Sequence, residues 1–217
     1  MPYLVHTPAG ARILLGTFLA ILAAEVIATY VGRARDGDPH PLRSFADAFA
    51  LLHRVVGGST THERSTASIL FVVSRVGFVA AVAVAALVPA SRAFANTWTT
   101  LWLGAGIVLA GTALRAWAIV TLGRYFRRIV TIEPGQPLIR RGPYRVLRHP
   151  SYAGLLLIAF GLGLELGSWV SAAIALASAF LALLPRIGVE EHALAQTFGV
   201  EFAEYKRGRA RVLPFVW

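Results

Sequence analysis

From Tyr152 to Leu184 the chain is an almost unbroken apolar run. A helix crosses the hydrocarbon core of a bilayer with roughly 17–25 mostly apolar residues, so this run is too long for one span. Gly161, Gly163, Gly167 and Ser168 lie near its middle. The expectation is two shorter helices, Tyr152–Leu166 and Trp169–Leu184, joined by a tight turn. The same template finds three spans upstream, at Arg12–Val31, Ser68–Val88 and Trp98–Leu122. The predicted fold is all-α: a polytopic membrane protein with five transmembrane helices, the last two a hairpin. A polar tract from Arg186 to Trp217 completes the chain.

Composition agrees with this architecture. Of 217 residues, 56% are apolar and 15% charged, against about 25% charged in a soluble domain. There is no cysteine, which excludes disulfide, thiolate-metal, iron–sulfur and thiol-nucleophile chemistry. The first apolar run exceeds the roughly 7–15 residues of a signal-peptide core, so it reads as a retained span. No segment repeats at a fixed period.

The formal net charge of +10 comes almost wholly from arginine. A nucleic-acid-binding chain would pair such charge with a soluble basic face, which an apolar majority does not offer. The positive charge is instead sided. The loop Gly32–Ala67 carries Arg33, Arg35, Arg43, Arg54 and Arg64. The loop Gly123–Pro150 carries Arg124, Arg127, Arg128, Arg140, Arg141, Arg145 and Arg148, and the tail Arg186, Lys206, Arg207, Arg209 and Arg211. Only Arg12 and Arg92 fall opposite. The positive-inside rule then places both loops and the tail in the cytoplasm and the N-terminus outside, the arrangement that five spans require. Most of these arginines orient the chain and meet anionic headgroups, and membrane lipids are expected partners.

Two segments ask for more than topology. The loop LGRYFRRIVTIEPGQPLIRRGPYRVLRHPSYAG interleaves arginine with aromatics and turn signals at Glu133-Pro134-Gly135 and Gly142-Pro143. Pro150 suits a helix start, where its missing N–H costs nothing. Arg148, His149 and Tyr152 therefore stand at the mouth of the fourth span, beside free backbone N–H groups suited to an anionic or carboxylate ligand.

In the tail, Leu194, Phe198, Phe202 and Tyr205 make one apolar stripe. It predicts an amphipathic cytoplasmic helix near the membrane surface, ended at Gly208. The final RVLPFVW suits an interfacial anchor. Alone, Glu190 and Glu191 suit the first turn of that helix, where acids favour the macrodipole.

The ordered set GPYRVLRHPSYAG, a helical hairpin, R-x3-EE-x2-L-x3-FG-x2-F-x2-Y and LPFVW resembles the isoprenylcysteine carboxyl methyltransferase family. The related phospholipid methyltransferases share much of it. The likeness covers roughly Leu122 to Trp217. It implies a membrane-embedded methyltransferase that uses S-adenosylmethionine without a Rossmann domain, and no metal. Residues 98–217 would form the methyltransferase core, and residues 1–97 a two-span region with a cytoplasmic loop. By motif, His149, Tyr152 and the backbone of Pro150–Gly154 would contact the cofactor, with Tyr205 beside them. Glu190 or Glu191 would take the ribose hydroxyls, and Arg148 would place a substrate carboxylate. The family usually has an arginine just after the tyrosine of its terminal helix, then a Val-Pro-like pair. Here the stretch is YKRGRARVLPF, which leaves Arg207 or Arg209 for that role.

A carboxylate acceptor on a lipidic or isoprenylated substrate needs no general base, and an arginine fork suits it. A phospholipid amine would need a base, for which Glu190, Glu191 or His149 are the candidates. Two other classes remain: an NADPH-dependent reductase of the sterol or enone type, which shares the R-H-P-x-Y end, and a non-enzymatic helical scaffold. Arg115, inside the third span, either pairs with Glu25 of the first or lines a substrate path. Ala159, Gly163 and Gly167 are spaced for helix packing. His6, His40, His53, His62 and His192 have no metal-ligand spacing. The heavy use of Ala and Arg fits a GC-rich bacterial genome, and so an inner-membrane location with the site facing the cytoplasm.

Overall fold

The computed structural model of the protein describes residues 8–37, 63–88, 90, 97–126 and 135–213. Five α-helices hold most of them: α1 (Pro8–Arg35), α2 (Glu63–Leu87), α3 (Thr97–Leu122), α4 (Pro150–Glu165) and α5 (Trp169–Arg207). Helices α1, α3 and α5 are each long and apolar enough to cross a membrane; shorter apolar helices run over Val72–Leu87 and Pro150–Glu165. Each predicted span coincides with one of these helices, to within a residue where the helix ends first. Large apolar side chains stand exposed along α1 and α2, among them Leu15, Phe18, Leu22, Val72, Val76 and Val79. Helices that present apolar groups outward as well as inward are built for lipid. The Glu133-Pro134 turn, much of the Gly32–Ala67 loop and the last four residues of the RVLPFVW anchor lie outside the described residues.

Contacts divide the chain into two compact units. The first comprises Met1–Ala24, Leu70–Ala113 and Gly154–Leu183. Its packing rests on missing side chains. A Cβ on Gly104 of α3 would lie 2.7 Å from the carbonyl oxygen of Gly161 in α4, and one on Gly161 would lie 2.8 Å from that of Gly104. Backbones this close are the small-residue contacts expected of helices in lipid. A Cβ on Gly163 would meet Ala172 of α5 at 2.6 Å, so Gly163 does pack. Gly167 does not: its φ of +82° makes the hairpin turn, with nothing within 4 Å. The turn is finished by Ser168, whose Oγ accepts from Ser171 N–H at 3.1 Å, an N-cap bond. This unit also buries a carboxyl that hydropathy reading passes over. Glu165 is fully buried, accepts from Thr17 Oγ1 at 3.2 Å, and lies against Gly104.

The second unit comprises Glu25–Ile69, Leu114–Ala153 and Leu184–Trp217. Ala28 of α1 and Ile119 of α3 form its apolar core with Phe126. The loop after α3 begins on a bond from Arg124 N–H to Asp36 Oδ2 at 2.9 Å.

The C-terminal helix differs from its expectation. It does not start where the last span is expected to end: α5 continues through Pro185 as far as a kink at Gly199, and a short helical stretch beyond it reaches Arg207. At about 1.5 Å per residue, α5 far outruns the roughly 30 Å hydrocarbon core. Proline costs one backbone hydrogen bond, and ion pairs from the following turns, described below, hold the extension. The break falls instead at Gly199, with φ 50° and ψ −119°, a conformation open to glycine alone at little cost. Beyond it Phe202 and Tyr205 are buried, and Gly208 lies just past the helix end, as the stripe predicted.

Candidate active site

Every contact of this site lies within the second unit. The loop reaches it through a short 3₁₀ turn, Gly142–Arg145, with Pro143 at its start. Tyr144 is buried there, and its carbonyl accepts from Tyr205 Oη at 2.9 Å. The next residues lie beside the tail. Leu147 and Ala210 form an isolated parallel bridge, in which Arg148 N–H donates to Ala210 O at 2.8 Å and His149 N–H to Arg211 O at 2.9 Å. Helix α4 starts at Pro150, and His149 O accepts from the N–H groups of Tyr152 and Ala153 at 3.0 and 3.1 Å.

Facing this corner, α5 presents Arg186, Glu190 and Glu191, which a helix places on one side at i, i+4 and i+5. Tyr152 Oη donates to Glu190 Oε2 at 2.6 Å and accepts from Arg186 Nε at 2.9 Å. Glu191 Oε1 accepts from Arg148 Nη1 at 2.6 Å, and Glu191 Oε2 meets Arg211 Nη2 at 3.2 Å. The His149 ring is enclosed between the two acids, with Nε2 3.4 Å from Glu191 and Nδ1 3.8 Å from Glu190. It stacks on Tyr152 with centroids 5.5 Å apart.

Burial disfavours a charged imidazole, but the two carboxylates outweigh it and push His149 up to about 9. At neutral pH the ring therefore holds its proton. Burial, reinforced by the negative field of Glu190, also keeps the Tyr144 phenol well above its ordinary range.

The structure thus brings Arg148, His149, Pro150, Tyr152, Glu190 and Glu191 together. Tyr205 supports them from behind, through Tyr144. Arg209 stacks on Tyr205 at 4.4 Å and donates from Nη1 to Tyr205 O at 3.0 Å; its own carbonyl accepts from Arg148 Nε at 3.1 Å. Arg207 stands exposed at the end of α5. Gly154 belongs to the first unit, where its carbonyl oxygen backs onto Gly111 of α3.

Sequence reading left two members of the cluster without a role. Arg186 was visible in the R-x3-EE pattern that leads to the acids. Arg211 had no signal, because its place depends on the tail pairing with the loop. Arg115 does pair with Glu25, Nη2 to Oε1 at 2.8 Å and Nε to Oε2 at 3.1 Å.

Fold and site together define a helical membrane-type protein with a polar, carboxylate-bearing corner at the start of its hairpin. Residues 102–196 match the sequence profile of the isoprenylcysteine carboxyl methyltransferase (ICMT) family. Protein-S-isoprenylcysteine O-methyltransferase A of Arabidopsis thaliana is 36% identical over 121 residues, which cover 55% of this chain and 61% of that protein. The Saccharomyces cerevisiae protein-S-isoprenylcysteine O-methyltransferase is 34% identical over 116 residues, covering 52% and 48%. The chain spans less than two thirds of these relatives. A solved structure of a eukaryotic intramembrane Ras methyltransferase, ICMT, matches with a TM-score of 0.61 over 98% of this chain and 70% of that one, at 20% identity. That likeness is one of fold.

Proposed function

We propose that the chain is a methyltransferase that uses S-adenosylmethionine to methylate the carboxylate of a lipidic, isoprenylated substrate at the membrane–cytosol interface. The observation that carries this reading is the closed polar corner itself. The loop after α3, the first turn of α4 and the Glu190-Glu191 pair of α5 meet within hydrogen-bond distance, inside the segment that matches the family.

The donor set fits the cofactor. Glu190 spends one oxygen on Tyr152 and its side chain is 32% exposed, so a carboxylate edge remains for the paired hydroxyls of a ribose. Glu191, at 9% exposure, is taken up by Arg148, Arg211 and His149 and serves to hold the loop against α5. Bound at this corner, S-adenosylmethionine supplies an electrophilic methyl group on a sulfonium, which a carboxylate displaces in line without any proton transfer. His149, Tyr152 and the backbone at Pro150 border the cofactor, and Arg148 borders the acceptor carboxylate. Of the two tail arginines, Arg209 is the better placed to assist, because its carbonyl already holds Arg148.

One observation favours a carboxylate over an amine acceptor. An amine must lose a proton, yet His149 is pushed up to about 9, Glu191 is taken up by two arginines, and the open edge of Glu190 belongs to a carboxyl that, despite burial, His149 holds below its ordinary range, a weak base. No group in the cluster is poised to accept a proton at neutral pH. The five helices are taken as five spans, N-terminus outside, in a bacterial inner membrane, with the site facing the cytoplasm.

Calorimetric titration of detergent-solubilised protein with S-adenosylmethionine, S-adenosylhomocysteine and NADPH tests the reading, together with methyl transfer to S-farnesylcysteine in mixed micelles. Binding of the two adenosyl compounds and a methyl ester product are expected. Binding of NADPH without S-adenosylhomocysteine would sink it.

A further inference from the structure

Helix α1 lies outside the segment that matches the family, yet one of its residues reaches the corner. Glu25 takes the Arg115 guanidinium in a two-pronged grip, with both side chains largely buried at 12% and 15% exposure. As a means of neutralising a charge in an apolar surround, that grip is sufficient. Arg115 goes further: Nη1 donates to Ser151 Oγ at 2.6 Å and lies 3.4 Å from Ser151 O. Ser151 is buried and stands between Pro150 and Tyr152, in the first turn of α4.

This placement is not one that helix stability selects. A cation at the N-terminal end of a helix opposes its macrodipole, and Ser151 could bond within its own turn instead. What the contact supplies is geometry. The guanidinium is a planar fork with fixed donor directions. Held at two prongs by Glu25, it leaves the third to fix where the first turn of α4 sits. Tyr152 is the next residue, and through its hydroxyl it sets the position of Glu190. Displacements of a fraction of an ångström matter at such a point.

We propose that Glu25 is a positioning residue for the methyl-donor side of the site, acting through Arg115 and Ser151 on Tyr152 and Glu190. This rests on the methyltransferase reading above. The relay crosses from α1 to α3 to α4, so the N-terminal helix tunes cofactor affinity as well as anchoring the chain.

Ser151→Ala breaks the last link and leaves the buried ion pair intact; Glu25→Gln breaks the first; Arg12→Ala, on the exposed start of α1, is the control. Three quantities are read: calorimetric affinity for S-adenosylhomocysteine, steady-state kinetics, and hydrogen exchange of the 149–155 segment in ligand-free protein. Ser151→Ala and Glu25→Gln should each weaken affinity about tenfold, since each removes a charge-assisted bond of the Arg115 guanidinium. The donor KM should rise by the same factors, with acceptor KM unchanged and kcat within twofold. Exchange in 149–155 should quicken in both variants, and Arg12→Ala should match wild type throughout. If both variants bind S-adenosylhomocysteine within twofold of wild type, whatever their melting temperatures, the relay is structural only and the proposal fails. Should wild type itself bind none, the methyltransferase reading falls, and this proposal with it.

Discussion

The hydroxyl of Tyr152 donates to Glu190 Oε2 at 2.6 Å, joining residues 38 positions apart. Tyr152 stands in the first turn of α4 and Glu190 well along α5, and the hairpin turn at Gly167 brings the two helices back past each other. Arg186 Nε closes the group from the other side at 2.9 Å. One phenol therefore ties the loop end of the hairpin to the acids that a ligand would meet.

Removing that tie should be felt in binding more than in folding. Tyr152→Phe keeps the ring that stacks on His149 and deletes only the bonding oxygen. A hydrogen bond to a charged group contributes about 1.5–3 kcal/mol, so affinity for S-adenosylhomocysteine should fall roughly tenfold or more. Isothermal titration decides this, and an unchanged dissociation constant would remove Tyr152 from the site.

Glu191 carries a heavier structural role. It faces Arg148, Arg211 and His149 at 9% side-chain exposure. Glu191→Ala strands those cations without their carboxylate, and breaking a buried pair on one side costs about 3–5 kcal/mol. The variant should melt well below wild type in detergent. Recovery of wild-type melting by Glu191→Ala alone would contradict the ion-pair account.

Stability should also fall on the alkaline side. The folded His149 is pushed up to about 9 from an ordinary 6.5. A raised pKa on a basic group contributes stability that is fully present below about 6.5 and lost as pH rises through about 9. The loss is on the order of 3 kcal/mol. Unfolding midpoints measured from pH 6 to 10 should drop across that window in wild type and stay flatter in His149→Asn.

Two glycines in α3 make a matched test of close packing. Gly104 faces the backbone of Gly161 at 2.7 Å from an added Cβ, whereas Gly106 has nothing within 4 Å. Gly104→Ala must push α4 away and should lower the melting temperature. Gly106→Ala should leave it unchanged or slightly higher. Equal effects would mean that the α3–α4 contact is looser than described.

At Gly199 the demand is on the backbone. With φ 50° and ψ −119°, a side chain there costs about 1–3 kcal/mol. Gly199→Ala should destabilise the protein and loosen the turns that bury Phe202 and Tyr205, detectable as faster hydrogen exchange over residues 200–207.

The helices were legible because each needs only local sequence. Apolar runs of the required length mark Arg12–Val31 or Trp98–Leu122 without knowledge of their neighbours, and glycines with Ser168 mark the hairpin turn. The break between the last span and the tail helix was misplaced for a physical reason. Pro185 and the charges after it look like a helix end, but the partners that carry α5 onward, Tyr152 and Arg148, lie more than thirty residues upstream in the sequence.

The arginine surplus, the apolar spans and the motif running from Arg148 to Tyr205 are properties of the chain itself, because spacing along a helix or at its first turn fixes which residue types share a face. Which acid does what is not such a property. Adjacent residues Glu190 and Glu191 are alike in sequence, and only the fold separates them: one turns toward Tyr152 with an edge left open, the other toward two arginines and a histidine. Likewise Glu25, Arg115 and Ser151 come from three helices, and no pattern within any one of them predicts that a single guanidinium joins all three. Ion pairs and hydrogen bonds act over a few ångströms of space, so they were decided only when the helices came together.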